Sequence, residues 1–200
     1  MSVKLILIRH GESESNVTRT SSGQSKCNLT EKGLDQAKRV GEYLKDHAID
    51  FFYVSPLPRT RQTFDAILAH HPDVPVEFEP RIMEIHFGDL EGTPWGYKRK
   101  LANEKGVDFL EFKPNNGESI VDLQKRVLEF IGELAEKHTG KTVALVTHGG
   151  VMMSIYLKLL NYTQADIENI HSPNTGVTIL NFTKDNITEE LFNYRGHLNP

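Results

Sequence analysis

The chain has 200 residues, 38% hydrophobic and 25% charged, with a formal net charge of −4 and a pI near 6.1. That length fits one domain, residues 1–200, able to bury a core without disulfides or metals, and the mild acidity argues against a broad nucleic-acid-binding surface. The single cysteine, Cys27, excludes an intrachain disulfide, no apolar run is long enough to span a membrane, and no signal-peptide pattern opens the chain, so a cytoplasmic setting is expected.

KLILI (4–8) is an almost continuous apolar run, which predicts a buried strand, and it leads directly into Arg9-His10-Gly11-Glu12. LTEKGLDQAKRVGEYLKDH (29–47) predicts a helix with Thr30 as N-cap and an inner side of Leu34, Ala37, Val40, Gly41 and Leu44. FFYV (51–54) predicts a second strand, which meets Ser55-Pro56-Leu57-Pro58-Arg59. RTRQTFDAILAHH (59–71) predicts a helix stopped by Pro72, with His70-His71 at its exposed end, and VPVEFEP (74–80) predicts a third strand. SIVDLQKRVLEFIGELAEKH (119–138) carries the strongest helix signal, a stripe of Ile120, Leu123, Val127, Phe130, Ile131 and Leu134 behind a Ser119/Asp122 capping box. TVALVT (142–147) predicts a fourth strand running into His148-Gly149-Gly150, and VMMSIYLKLL (151–160) a helix. VTILNF (177–182) and ELFNY (190–194) suggest a closing hairpin joined through Asp185-Asn186. This alternation predicts an α/β fold with a mostly parallel sheet and helices on both faces.

Three of these strands end on charged or titratable residues. In a parallel sheet such ends share the carboxyl edge, where open α/β folds bind ligands. Arg9, His10, Arg59 and His148 would then converge on one crevice. A cationic cluster of this kind repels itself and suits a dianion with three equivalent oxygens, a phosphoryl group, which guanidinium groups grip in a forked fashion. Gly11, Gly149 and Gly150 let backbone N–H groups approach, the helix near Val151 adds the positive end of its dipole, and Asn16 offers an amide donor. Taken alone, a strand-end histidine is more often structural and a strand-end arginine more often a surface residue. The coincidence of three ends is what carries the reading. No nucleotide-binding glycine loop occurs and the nine histidines show no metal-ligand spacing, so no metal or cofactor is expected.

The run Arg9-His10-Gly11-Glu12 resembles the signature of the histidine phosphatase superfamily, also called phosphoglycerate mutase-like. SPLPRTRQT (55–63) resembles its second arginine motif, EIHFGDLEG (84–92) its acid-bearing segment, VTHGG (146–150) its second-histidine motif, and NLTEKGLDQA (28–37) its Leu-Thr helix start. The motifs stand in family order. The resemblance implies the phosphoglycerate mutase-like three-layer α/β/α fold and a phosphatase that needs no metal. In that scheme His10 becomes phosphohistidine, Arg9, Arg59 and His148 bind the phosphoryl oxygens, and Glu84 is the acid–base group. By residue type Glu12, Glu91 and Glu118 are alternatives, and only the family motif selects Glu84. Gly88 and Gly92 read as turn residues.

The resemblance also implies a runner-up, a phosphoglycerate mutase. The stretch from Gly92 to Ser119 is short, with no Arg-Arg pair or proline run, and the second histidine is followed by Gly149-Gly150; both favour the phosphatase. A catalytically idle binding member is disfavoured because all five catalytic positions are filled. Substrate choice is expected from an insert at about 93–118 and from the loop Val17 to Asn28, where Ser22 and Gly23 are candidates for substrate contact. In the insert, Lys98, Arg99, Lys100 and Lys105 read more naturally as a solvated helix face than as an anion site, and Trp95, Tyr97, Phe109 and Phe112 as local packing. A tail around His197 resembles members whose C-terminus folds over the site. The expected partner is a small phosphorylated metabolite: a phosphosugar, phosphoglycerate, phosphoserine or a nucleotide-loop intermediate of cobalamin synthesis. Neither nucleic acid nor a membrane is expected, and the chain would act as a monomer or homodimer.

Overall fold

A computed structural model describes residues 2–163, 172–183 and 186–199. The N-terminal apolar run forms β1 (Ser2–Arg9), followed by α1 (Glu14–Thr18), α2 (Glu31–Leu44), β2 (Phe51–Val54), α3 (Pro58–Leu68) and β3 (Val76–Phe78). Then come α4 (Tyr97–Glu104), α5 (Ile120–Lys137), β4 (Thr142–Thr147), α6 (Gly149–Leu159), β5 (Val177–Thr183) and β6 (Ile187–Tyr194). The closing hairpin is therefore present; Asp185, expected in its connection, lies outside the described residues.

Among the described residues the strands form one sheet in the order β3-β2-β4-β1-β5-β6. The first four strands of that order are parallel, and β5 and β6 are antiparallel. Both faces are covered, which explains why β1 reads as continuous rather than alternating hydrophobicity. Leu5 and Leu7 face the side covered by α5 and α6, packing with Val127, Phe130, Leu134 and Ile155. Ile6 and Ile8 face α2 and α3, packing with Val40, Leu44, Phe64 and Ile67. Each such side chain, removed from water, contributes roughly 1.5–3 kcal/mol. The result is a three-layer α/β/α arrangement.

Register decides which strand ends meet. Arg9 lies opposite Thr147, and Val54 opposite Val146, so His10, Ser55 and His148 emerge side by side at the carboxyl edge. Because β5 runs antiparallel to β1, with Val177 opposite Ile8, the loop that feeds β5 arrives at the same edge.

The helix caps follow their sequence signals. Thr30 accepts the Gly33 N–H at 3.0 Å. Ser119 and Asp122 exchange two 3.0 Å hydrogen bonds as a capping box. Several packing expectations are corrected. Leu34 is 41% exposed, and its place on the inner side of α2 is taken by Gly33. A Cβ on Gly33 would lie 2.0 Å from the Glu12 carbonyl oxygen, so only glycine lets the start of α2 touch the loop that follows β1. His71 is buried, and its Nε2–H donates to the Leu44 carbonyl at 3.1 Å, closing the end of α2. The tail does not fold over the cavity: His197 stacks on Tyr43 and bonds Thr175 Oγ1 at 3.1 Å.

Gly33→Ala should destabilise the protein by about 1–3 kcal/mol, because two backbones must separate. Urea unfolding of the variant beside the parent chain measures this, and an unchanged midpoint would contradict it.

Candidate active site

Where β1, β2 and β4 end, a cavity of about 470 Å³ opens. Its wall includes Arg9, His10, Asn16, Ser22, Gly23, Arg59, Glu84 and Gly149, so most of the residues picked from sequence meet there. His148 is fully buried and not part of the wall; its ring centroid lies 5.2 Å from that of His10.

The hydrogen bonds fix the tautomer of His10. Its Nδ1 is 2.7 Å from the Gly11 carbonyl oxygen, which can only accept, so Nδ1 carries the proton. Nε2 is left with its lone pair, toward which Arg59 Nε–H donates at 3.3 Å. Burial first, then the fields of Arg59 and Arg9, hold the His10 pKa well below the ordinary value of 6.5. His148 is lowered likewise, by burial, Arg59, His10 and Arg9, and its Nε2 pairs with Ser55 Oγ at 2.7 Å. Two neutral imidazoles thus sit between two guanidinium groups.

The guanidiniums are anchored on one side only. Arg9 donates through Nη1 to the Ser172 carbonyl, and Arg59 through Nη2 to the Gly23 carbonyl at 2.8 Å. Arg9 Nε, Arg59 Nη1 and His148 Nδ1 are buried without a partner among the described residues. A buried donor left unmatched costs roughly 1–3 kcal/mol, more when charged, so the two open guanidinium N–H groups in one cluster suit an anion. Burial disfavours both guanidinium charges, and the group that most opposes it is the Glu84 carboxylate.

Of the four candidate carboxylates only Glu84 lines the cavity. Glu12 pairs with Lys32 at 2.8 Å, and Glu91 accepts the Gln24 N–H at 2.8 Å. Glu118 is gripped by Arg126 through Nε and Nη2 at 2.8 and 2.9 Å. Glu84 itself accepts from the Ile85 N–H at 2.9 Å and the Gly150 N–H at 3.2 Å. A Cβ on Gly150 would stand 2.2 Å from Glu84 Oε1, so this glycine makes room for the carboxylate.

Several contributors escape a sequence reading. Asn174 Nδ2 donates to the His10 carbonyl at 3.1 Å and to Asn16 Oδ1 at 3.0 Å. Asn16 Oδ1 also takes the Ser13 N–H at 3.1 Å, which leaves the Asn16 amide nitrogen for the cavity. Ser172 and Asn174 matter only because β5 is antiparallel. Arg126 spans from α5 to the carbonyls of Arg81, Met83 and Glu84 at 2.7, 2.9 and 3.0 Å, fastening the segment that carries Glu84. A polar residue in an otherwise amphipathic helix was its one sequence signal.

A family model described as the histidine phosphatase superfamily, branch 1, matches residues 5–195. A broad-specificity phosphatase of Saccharomyces cerevisiae is 32% identical over 188 residues, spanning 92% of this chain and 81% of that one. A 2,3-bisphosphoglycerate-dependent phosphoglycerate mutase of Beijerinckia indica is 31% identical over 196 residues, spanning 93% and 94% respectively. The solved structure of phosphoserine phosphatase from Entamoeba histolytica in complex with 3-phosphoglyceric acid superposes with a TM-score of 0.82 at 30% identity, covering 98% of this chain and 99% of that one.

The depressed histidine pKa values have a sign that can be checked. Below pH 6.5 the unfolded chain takes up protons that His10 and His148 refuse in the fold, so stability must fall as pH falls. Each ring contributes up to about 1.4 kcal/mol per pH unit between 6.5 and its folded value. Denaturant unfolding from pH 7 to pH 5 should show this decline, with a shallower slope in His148→Gln; an equal slope would contradict burial of a neutral ring.

Proposed function

This chain belongs to the histidine phosphatase superfamily and is a phosphoric monoester hydrolase, and we propose that it works through a phosphohistidine on His10. The observation that carries this reading is one cluster on the cavity wall: a neutral imidazole whose Nε2 lone pair accepts from Arg59 Nε–H, beside the guanidinium donors Arg9 Nε and Arg59 Nη1 and the ring nitrogen His148 Nδ1, which have no partner among the described residues.

In this reading the phosphoryl oxygens take up the donors of Arg9, Arg59 and His148, with Asn16 and the Gly149 backbone at the rim. His10 Nε2 attacks phosphorus in line, the P–N bond forms and the P–O bond to the alcohol breaks. The guanidiniums stabilise charge on the transferring oxygens and do what a metal ion would otherwise do. As His10 becomes cationic, its Nδ1–H bond to the Gly11 carbonyl strengthens, so the backbone stabilises the intermediate as well as the tautomer. Glu84 in its acid form gives its proton to the leaving alkoxide; the carboxylate so formed then removes a proton from water as that water attacks phosphorus and breaks the P–N bond, which restores the acid form.

Substrates are read as small phosphorylated metabolites in the cytoplasm, in keeping with the 470 Å³ cavity, and residues 93–118 as the insert that selects them. Among the described residues no helix is long and apolar enough to cross a membrane. A mutase uses the same catalytic set, but the short stretch between Gly92 and Ser119, without an Arg-Arg pair, favours transfer to water.

His10→Ala should abolish phosphate release, and the parent enzyme quenched in alkali during turnover should carry acid-labile phosphate on His10. Phosphate found elsewhere, or turnover by the variant, overturns the mechanism. Glu84→Gln should slow hydrolysis of alkyl phosphates by roughly 10²- to 10⁴-fold and of p-nitrophenyl phosphate much less, because nitrophenolate leaves without a proton. Equal losses would remove Glu84 as the acid. Arg126→Lys, which loses the paired grip on Glu118 and contacts to the Glu84 segment, should show the same leaving-group bias on a smaller scale.

A further inference from the structure

Of the insert's basic residues, Lys98 departs furthest from a solvated helix face. It is 6% exposed and lies on the inner side of α4, on the cavity wall. Burying a lysine is costly unless its ammonium group is matched. Nζ donates to the Glu118 carbonyl oxygen at 3.0 Å, which uses one of three N–H bonds. The carboxylates whose fields reach it, Glu118 and Asp122, are each already paired with another cation, Arg126 at 2.8 Å and Lys113 at 3.0 Å. Two cavity-wall rings flank Nζ, Phe87 at 5.9 Å and Phe109 at 6.0 Å, and they offer cation–π contact but no charge. Burial draws the ammonium pKa down to about 8, as expected for a cation short of a counter-ion.

Lys98 also stands apart from the reacting centre. Lys98 is carried by α4, whereas Arg9 ends β1 and Arg59 lies in the first turn of α3. The cavity therefore holds two separate cationic positions. The wall also includes Ile120, Leu123 and Met153 and the hydroxyl residues Thr20, Ser21 and Ser154. Arg99, the other cation of this wall, lies over Phe109 at 4.5 Å and is already engaged.

We propose that Lys98 is a second anion subsite, and that the preferred substrate is a small phosphomonoester bearing a carboxylate at its far end. The proposal rests on the phosphatase reading above and names its substrate class. A carboxylate is favoured over a second phosphate because one ammonium, with one N–H already used, balances one negative charge. A dianion in this partly dry site would keep an unmatched charge.

The test is a matched set with the same three-carbon chain: propyl phosphate, phosphorylated 3-hydroxypropanoate and propane-1,3-diyl bisphosphate, with p-nitrophenyl phosphate in parallel. The parent enzyme should favour the carboxylated ester over propyl phosphate by roughly 10- to 100-fold in kcat/KM, mostly through KM, the range of one charge-assisted hydrogen bond. In Lys98→Gln and Lys98→Met that ratio should fall toward one, and Lys98→Arg should recover part of it. Because the readout is a ratio between substrates of one enzyme, partial loss of folded protein does not move it.

Hydrolysis of p-nitrophenyl phosphate with no carboxylate preference would overturn the subsite and leave the phosphatase reading standing. A preference that survives Lys98→Gln, or a larger preference for the bisphosphate that Lys98→Gln removes, would overturn the assignment of a carboxylate to Lys98. Failure on all four esters by folded enzyme would overturn both readings.

Discussion

Everything at the carboxyl edge of the sheet follows from one constraint: two guanidinium groups are buried there without enough negative charge to balance them. Arg59 is 1% exposed, and Arg9 is held at the end of a strand whose two faces are both core. In water each cation would be well hydrated. Here hydration is replaced by one backbone carbonyl apiece, by the His10 lone pair for Arg59, and by the field of Glu84. The fold tolerates this because the apolar burial on either side of β1 is large. The unbalanced charge is then available for a ligand, which is the sense in which a binding site is preorganised.

The same charge decides the chemistry of the histidines. An imidazole in water is half protonated near pH 6.5, and a protonated ring has no lone pair with which to attack. Placed between Arg9 and Arg59 and cut off from solvent, His10 stays neutral, and the Gly11 carbonyl chooses the nitrogen that keeps the proton. Binding groups and nucleophile activation are therefore one arrangement. In the mechanism proposed above, the arginines that take the phosphoryl group also keep its attacker in the reactive form. His148 shares the field but is orientated differently, through Ser55 at the end of the neighbouring strand.

Glu84 shows how a loop residue is made as precise as a strand residue. It lies outside the sheet, after a short 3-10 turn (Pro80–Ile82), yet its segment is fastened from two sides. Arg126 reaches three successive-region carbonyls from α5 while Glu118 neutralises and orients its guanidinium, and Gln24 reaches the Glu84 carbonyl from the other wall at 3.0 Å. A part-buried, forked ion pair of this type supplies geometry more dependably than net stability, since the desolvation of its members offsets much of their attraction. The cavity wall is thus joined across segments separated by as many as 60 residues between Gln24 and Glu84.

The sequence by itself determined the strands and the long helices, the capping at Thr30 and Ser119, and the convergence of Arg9, His10, Arg59 and His148. These are local matters: hydrophobic periodicity, turn chemistry, and the rule that parallel strands present their ends on one edge. It also carried the family motifs that selected Glu84. Only the tertiary structure decided which carboxylates were already taken, since the partners of Glu12, Glu91 and Glu118 lie 20, 67 and 8 residues away respectively. Only it turned His71 inward, drew Gly33 rather than Leu34 against the neighbouring loop, and carried the tail with His197 to Tyr43 instead of over the cavity. Lys98 makes the difference plain. In sequence it is one of three basic residues in a row, and which of the three faces inward depends on where α4 docks. Periodicity reports that a helix has an inner side; the side that becomes inner, and the charge buried with it, is settled by contacts between residues far apart in the chain.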